Sequence, residues 1–392
     1  MPDDALPWDR LFNAAALTPD PAKPVLIIGS GLAGCWTART LAQAGVHVVV
    51  VEAGASPACG ASSNPAGIVK PFVTRSPCLA MSFYLEAHAY LLQRLRDWHL
   101  DAACGFHGCG VVQLVENEYP PSAHYQCIDT DELQHALGMD AHGHAIAFTD
   151  SGWLNPLALC RALLQHELIS LVCNKRVVCL KKAAAKYNAA HTVVTTGSAL
   201  SAFEETQSLF ITPARGQISR FKNRSGKVTL KQVVSGKHYV IPDGDTVLVG
   251  ATFERGVDDD AVHACDDEAN LRGLGATLNS LDVKPKALAA YAGVRATTPD
   301  RLPLVGPAPD IEQCKRAYHD LHHGRAIDNY PALPVHEGLS VLGGLGSRGI
   351  VTAPFAAHLL CDHLLGGGAI NLWVPLINPA RFTIRQLKKG ID

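Results

Sequence analysis

The sequence predicts an α/β protein in which a Rossmann-like nucleotide-binding domain carries an inserted antiparallel-sheet domain. Three observations carry that expectation. A short apolar run, Val25-Leu26-Ile27-Ile28, leads into Gly29-Ser30-Gly31-Leu32-Ala33-Gly34 and a helical stretch to about Ala44, then into a second buried strand from Val46 to Val51. From about Arg215 to Thr252 the texture alternates, as in Gln217-Ile218-Ser219-Arg220-Phe221, Tyr239-Val240-Ile241 and Val247-Leu248-Val249, which is the period of antiparallel strands. Near the end of the chain a second glycine-rich turn, Gly343-Gly344-Leu345-Gly346-Ser347-Arg348-Gly349, opens another helix, the whole covering 343–365.

The remaining elements follow in order. Residues 1–22 hold Pro2, Pro7, Pro19 and Pro21 around Trp8 and Leu11-Phe12, a pattern that suits an extended leader. Apolar positions repeat at three and four from Leu79 through Phe83, Ala87, Tyr90, Leu91 and Leu95, which predicts a helix over 79–98; Leu157–Leu168 reads as another. Val177–Leu180 and Thr192–Thr195 read as strands, the second running into Gly197, and helix returns near 266–280. The expected organisation is a leader (1–23), nucleotide-binding segments at 24–100, 151–214 and 293–392, and substrate-domain segments at 101–150 and 215–292.

Composition narrows the class. The chain has 392 residues, 47% of them hydrophobic and 18% charged, which is the make-up of a packed globular protein of two or three domains. Lys plus Arg total 34 against 36 for Asp plus Glu, so no global field draws the chain to a polyanion. The twelve cysteines are scattered without a Cys-x-x-Cys pair. That spacing predicts reduced core thiols and no zinc site. Eighteen histidines include His142-x-His144 and His322-His323, but no acids stand at ligand spacing, so surface histidines and no metal are expected. The start of the chain is acidic and no charge-free apolar run reaches membrane-spanning length, which predicts a cytoplasmic protein without a membrane anchor.

Gly29-x-Gly31-x-x-Gly34 stands where a dinucleotide fingerprint must stand, after an apolar strand and at the start of a helix. Gly29 permits the tight turn, Gly31 lets backbone approach a pyrophosphate, and Gly34 lets helix and strand close together. The helix start offers amide donors and a positive dipole end to the phosphates. Glu52, closing the second strand, is placed to accept hydrogen bonds from ribose hydroxyls. The fingerprint does not by itself separate FAD from NAD, but the second glycine-rich turn near the C-terminus presents a helix start that could face a flavin ring bearing negative charge when reduced.

Three further stretches carry a resemblance. Gly60-Ala61-Ser62-Ser63-Asn64-Pro65-Ala66-Gly67, Gly293-Val294-Arg295-Ala296-Thr297-Thr298-Pro299-Asp300-Arg301-Leu302-Pro303-Leu304-Val305-Gly306, and Gly344-Leu345-Gly346-Ser347-Arg348-Gly349 before Ala353-Pro354 resemble the D-amino-acid-oxidase-like flavoproteins. Within that group they are most similar to the oxidoreductase half of the MnmC family of bifunctional tRNA wobble-uridine modification proteins. The tail Asn378-Pro379-Ala380-Arg381-Phe382-x-x-Arg385-x-Leu387-Lys388-Lys389-Gly390 is similar to that family's tail and unlike glycine and sarcosine oxidases. The likeness covers 24–75 and 293–390 well. Between them it rests on Thr195-Thr196-Gly197, Pro213-x-Arg215-Gly216-Gln217 and Gly250-Ala251-Thr252-Phe253.

The resemblance implies a non-covalently bound FAD. Its expected contacts are Gly29, Ser30, Gly31, Leu32, Ala33, Gly34, Glu52, Ala53, Ala61, Ser62, Ser63, Asn64, Gly67, Thr196, Gly197, Gly344, Gly346, Ser347, Arg348 and Gly349. It also implies a substrate, 5-carboxymethylaminomethyl-uridine at the tRNA wobble position, whose carboxymethyl group leaves as glyoxylate. Such a substrate is an N-substituted glycine and needs a cation for its carboxylate, for which Arg295 and Arg348 are the candidates. The family's methyltransferase domain has no place in this chain, so a stand-alone oxidoreductase, or one part of a pair with a separate methyltransferase, is expected. A tRNA needs phosphate contacts. Arg220, Lys222, Arg224, Lys227 and Lys231 form a run without an acid, and Arg381, Arg385, Lys388 and Lys389 stud the tail. The competing readings are a small-molecule amine oxidase acting on glycine, sarcosine or D-amino acids, and a flavin-binding module without turnover. Lys70, before Pro71, has no assigned role.

Overall fold

The computed structural model describes residues 22–392 other than 142, 225–229, 279–280, 325–329, 367–371 and 392. The expected leader, except for its last two residues, and both His142 and Lys227 lie outside the described residues. The chain divides into two compact units, crossing between them after Cys59, Ala162, Thr212 and Arg295.

The first unit takes the residues up to Cys59, Leu163–Thr212 and Ala296 onward. Its sheet runs in the order 304–309, 335–343, 191–194, 25–28, 48–51, 169–172. The last five of these strands are parallel and the first, an edge strand, is antiparallel to its neighbour. The strand Val25–Ile28 (β1) is buried at every position, as is Val48–Val51 (β2) except for Val49. Continuous Val and Ile runs suit a parallel sheet covered on both faces. Between them the helix Leu32–Gln43 (α1) lays Trp36 and Leu41 fully inside. Leu26, Ile28, Val194, Leu304, Val341 and Phe382 share one core, and each such buried side chain contributes roughly 1.5–3 kcal/mol of transfer free energy. The expected strand at Val177–Leu180 is absent. The edge strand lies earlier, at Ile169–Val172, where it pairs with β2, and Leu180 begins a helix ending at Lys186. The apolar residues of 177–180 are too few and too interrupted to pair there: Val178 is exposed.

The second unit comprises Gly60–Ala162 and Pro213–Arg295. Residues 60–100, expected in the nucleotide-binding part, lie in this unit. The reason is packing: the helix Leu79–Asp97 puts Met81 into a cluster with Val73, Tyr125, Ile146 and Phe148. The main sheet follows the order 254–255, 212–222, 246–250, 239–243, 233–235, 111–115, 144–148, 126–128, with 289–297 also paired to 212–222. Its pairings are antiparallel save for 233–235 beside 111–115. The helix Ala264–Thr277 contributes Leu274 to the core that Phe221, Val240 and Val247 share. It is fastened to the sheet by a buried polar network. Arg215 pairs with Asp266, Gln217 Nε2 donates to Asp267 at 2.8 Å, and Asn270 Nδ2 donates to Ser219 Oγ at 2.9 Å.

All cysteines are free. Cys35, Cys104, Cys160, Cys314 and Cys361 are buried, and burial pushes the Cys104 and Cys314 thiols up to about 12. Cys59, Cys78, Cys127 and Cys265 are exposed, which corrects the expectation that the thiols all lie in the core.

Candidate functional site

In the first unit the turn between β1 and α1 is shaped by what its glycines exclude. Gly29 has φ +102°, and a Cβ there would press on the Thr195 carbonyl at 2.9 Å. A Cβ on Gly34 would collide with the Gly29 carbonyl oxygen and sit 2.7 Å from Thr195 Oγ1. Thr195 Oγ1 in turn donates to the carbonyls of Ile28 and Gly29, each at 2.9 Å, so the turn is bolted to the neighbouring strand. No side chain caps α1 and no acid lies in its first turn, which leaves the positive end of the helix for an anion.

Glu52 stands at the end of β2 and is held from two sides. Its Oε2 accepts from Ser30 N at 2.9 Å and Ser30 Oγ at 2.6 Å; its Oε1 accepts from Gly54 N at 2.8 Å. A carboxylate offers about four acceptor sites, so one remains for an outside donor. Ala53 follows directly. Thr196 has a buried hydroxyl with no hydrogen-bond partner among the described residues, and Gly197 after it has φ +60°. The second glycine turn lies in the same unit. Gly344 (φ +67°) has no room for a side chain beside Thr298, Gly346 (φ +55°) begins a short 3₁₀ turn to Arg348, and Gly349 opens a helix to Leu364. Gly349 faces Leu32 of α1, and Cys361 Sγ reaches the Thr37 carbonyl, so the two helices that follow the two glycine turns lie side by side. Steric cradle, fixed acceptor and orphaned hydroxyl all fit the adenosine diphosphate part of FAD.

The second unit holds the remaining expected residues, Ala61, Ser62, Ser63, Asn64, Gly67 and Arg295. Ala61, Ser62 and Ser63 form a 3₁₀ turn. Ser63 Oγ donates to Tyr291 Oη at 2.9 Å, and Tyr291 Oη donates to the Gly60 carbonyl at 2.7 Å. Asn64 Oδ1 accepts from Ala66 N at 3.2 Å. Gly67 starts a short strand paired with 152–154. Arg295 lies among these groups. A Cβ on Gly216 would collide with Arg295 Nη1 and reach the Thr252 carbonyl at 2.5 Å. Nη1 is buried and has no hydrogen-bond partner among the described residues. Burial pulls the guanidinium below its usual pKa while Tyr239 and Tyr291 push it back up; burial raises the Tyr239 hydroxyl, which Arg295 and Asn64 pull down. A buried charge without its full set of acceptors is costly. It is the arrangement expected of a receptor for a carboxylate.

Of the two arginines expected to act on substrate, Arg295 therefore sits in the second unit and Arg348 in the first, where its carbonyl accepts from Thr352 Oγ1 at 3.1 Å. The sequence marks Tyr239 only as part of a strand, leaves Tyr291 unmarked, and gives Gly216 no task of its own. Nothing local marks them, since their partners are brought from 60–64 and 295.

The expected nucleic-acid contacts need correction. Arg381 is 2% exposed. It forms a bidentate pair with Asp300 at 2.8 and 3.0 Å, and donates further to the carbonyls of Leu302, Pro303, Ile377 and Asn378. Its guanidinium is consumed inside the first unit and offers nothing to a phosphate. Arg385 shares the same Asp300 at 2.9 Å but is half exposed. Burial pushes the Asp300 carboxyl up, yet the two arginines outweigh it and the net direction is down. Arg220 pairs with Asp243, Lys222 with Asp245 and Arg224 with Asp282, so the basic run is balanced by acids that fold back from elsewhere in the chain. Lys231, Lys388 and Lys389 are exposed.

Lys70 is also placed. Its Nζ donates to Gln113 Oε1 at 2.5 Å and stands 5.3 Å from the Phe148 ring centre, tying the 67–73 segment to the sheet. Among the described residues no helix is long and apolar enough to cross a membrane, and no group of three His, Cys, Asp or Glu could hold a metal ion.

Residues 24–363 match the DAO family, described as FAD dependent oxidoreductase. The chain is 30% identical, over 98% of its own length and 62% of the other's, to the tRNA 5-methylaminomethyl-2-thiouridine biosynthesis bifunctional protein MnmC of Hydrogenovibrio crunogenus. It is 31% identical, over 94% of its length and 60% of the other's, to the protein of that name from Pseudomonas savastanoi pv. phaseolicola. The chain thus spans about three fifths of the curated relatives it matches. Among solved structures it resembles glycine oxidase from Geobacillus kaustophilus (TM-score 0.72, 20% identity, 91% of this chain and 98% of that one) and iminodiacetate oxidase from Chelativorans sp. BNC1 (TM-score 0.67, 19% identity, 91% and 98%). At those identities the likeness is one of fold.

Proposed function

This chain belongs to the DAO family of FAD dependent oxidoreductases, and from that premise we propose that it oxidises the carboxymethylaminomethyl group of a wobble uridine in tRNA. The observation that carries the reading is Arg295: a buried guanidinium with an unmatched donor, within electrostatic reach of Tyr239 and Tyr291, suits the carboxylate of an N-substituted glycine. The relatives named for tRNA 5-methylaminomethyl-2-thiouridine biosynthesis, matched over nearly the whole of this chain, supply the nucleoside to which that glycine is attached. Arg348, at the start of the helix that follows the second glycine turn, is the second cation proposed for the substrate.

FAD, when bound, supplies the two-electron acceptor. The chain's own residues supply placement. Gly29, Gly34 and the α1 N-terminus would cradle the pyrophosphate, Glu52 would take a ribose hydroxyl, and Thr196 Oγ1 would offer its unused hydrogen bond. Arg295 fixes the carboxylate so that the methylene between nitrogen and carboxylate is held in one orientation. The substrate amine, arriving neutral, would give up a hydride from that methylene and be left as an iminium cation. Water then adds across the C=N bond, which breaks to give the 5-aminomethyl base and glyoxylate. No side-chain base is required for the first step, because the nitrogen lone pair drives it. The methyl transfer that would follow is a separate reaction on the aminomethyl product.

A second reading keeps the same chemistry on a free amine such as glycine or sarcosine. The balanced basic run and the buried Arg381 favour it, since they remove charge that a tRNA would use. Anaerobic mixing separates the two. Bleaching of the flavin by tRNA bearing 5-carboxymethylaminomethyl-uridine, with glyoxylate released, is the expected result; bleaching by glycine or sarcosine alone would reject the tRNA reading.

A further inference from the structure

The large apolar side chains exposed among the described residues are aliphatic with one exception, Phe253, which is 54% exposed. Its position is not casual. Glu254 pairs with Arg215 and Arg255 with Ala214; carried one residue on, that register sets Phe253 opposite Gly216, the residue against which the Arg295 guanidinium lies. The segment is pinned on both sides. Thr252 N donates to the Gln217 carbonyl at 3.2 Å, Gln217 N donates to Thr252 Oγ1 at 2.9 Å, and Gly256 N donates to the Pro213 carbonyl at 2.8 Å. The strand beneath is itself held by the buried Arg215–Asp266 and Gln217–Asp267 contacts. Phe253 is thus an exposed aromatic ring on a fixed backbone, beside the buried cation. Arg255, two residues on, shares its face of the strand while Glu254 points the other way; Arg255 is exposed and makes no ion pair among the described residues. The acids that follow are partly spent, Asp259 on His263 and Arg215.

We propose that Phe253 and Arg255 form the platform that receives the substrate nucleotide, the Phe253 ring stacking on the base and the Arg255 guanidinium pairing with a flanking phosphate. The proposal rests on the tRNA reading above and deepens it: Arg295 recognises the glycine end of the modification and Phe253 the base that bears it. Sequence-tolerant recognition of unpaired bases relies on such stacking, because every base has a π-face that an aliphatic side chain cannot match. A single phosphate contact suits a surface on which Arg220, Lys222 and Arg224 are already paired with acids.

The test follows glyoxylate release from tRNA bearing 5-carboxymethylaminomethyl-uridine by the FAD-loaded protein and three variants. Loss of one stacked base corresponds to roughly 5- to 150-fold in affinity. Phe253→Ala is therefore expected to raise KM for the tRNA about tenfold or more, with a smaller change in kcat, and Phe253→Tyr to stay within about twofold of the parent. Arg255→Gln is expected to reduce the slope of log affinity against log salt by about 0.7, the value of one single-strand phosphate. If the parent processes the tRNA and Phe253→Ala leaves KM within twofold, or Phe253→Tyr is as impaired as Phe253→Ala, the platform is rejected and the tRNA reading stands. If the parent releases no glyoxylate from the tRNA but oxidises glycine or sarcosine, both fall together.

Discussion

A glycine whose missing side chain is replaced by another residue's charge is a sharp place to probe a site. Gly216 is such a residue, because Arg295 Nη1 and the Thr252 carbonyl fill the space a methyl group would need. Gly216→Ala must push the guanidinium away or bend the strand. We expect this variant to keep its yellow colour and its FAD content while KM for the carboxylate-bearing substrate rises about tenfold or more, since a displaced cation forfeits a charge-assisted hydrogen bond worth roughly 1.5–3 kcal/mol. An unchanged KM would show that Arg295 does not meet the carboxylate. The same residues show where reading by sequence stops. Gly29, Gly34 and Glu52 were legible because the turn, helix and strand they serve are contiguous. Arg295 was picked out as a cation, but Tyr239, Tyr291 and Gly216 acquire their meaning from partners far along the chain. Arg381 was misread for the same reason: in the sequence it belongs to a basic tail, and its acceptor Asp300 is 81 residues away.

At the scale of elements, the β1–α1–β2 unit is a local structure with a local signal, and the apolar strands, glycine spacing and helix all agreed with one another. The expected strand at 177–180 had no such agreement, and the edge strand lies at Ile169–Val172 instead. The basic run on the strand Thr212–Lys222 and the loop after it looked unopposed because its acids, Asp243, Asp245 and Asp282, arrive through antiparallel pairing and a later loop. What the β1–α1 turn does can be measured directly. A methyl group on Gly34 would strike the Gly29 carbonyl oxygen and Thr195 Oγ1, so Gly34→Ala has to open the turn that approaches the pyrophosphate. The purified variant is expected to lose most of its bound FAD, seen as a fall of fivefold or more in the ratio of visible to ultraviolet absorbance. Full retention of FAD would place the pyrophosphate elsewhere.

Across the whole molecule, each unit buries a histidine that must stay neutral. His88 in the second unit shares a 3.1 Å hydrogen bond with Ser151, and His191 in the first shares one of 2.9 Å with Ser340. Burial lowers both from 6.5 to about 4; Asp150 opposes and Lys70 adds to the effect on His88, and His363 adds to that on His191. Protons therefore bind the unfolded chain more readily than the folded one. Stability is fully present above the unfolded value of about 6.5 and is lost as pH falls toward 4. Between pH 7.5 and pH 5 the loss amounts to about 2 kcal/mol per histidine. Urea unfolding at the two pH values should show the midpoint falling at pH 5, and His191→Asn should flatten part of that dependence; a midpoint indifferent to pH would mean that these rings titrate in the native state as they do in the unfolded chain.

The four crossings of the chain between its units bear on how the protein is made. In the first unit the strand 191–194 lies between 25–28 and 335–343, so its central neighbours leave the ribosome far apart in time. At about 5–20 residues per second, the nascent β1 waits on the order of 15–60 s for the strand that completes its side of the sheet. The second unit, whose segments end at Arg295, is fully synthesised before that strand appears. Folding during synthesis is thus expected to run against the order of the sequence. The unit that begins first is finished last, and its apolar opening strands must be shielded by chaperone or by transient contacts until the segment after Arg295 emerges.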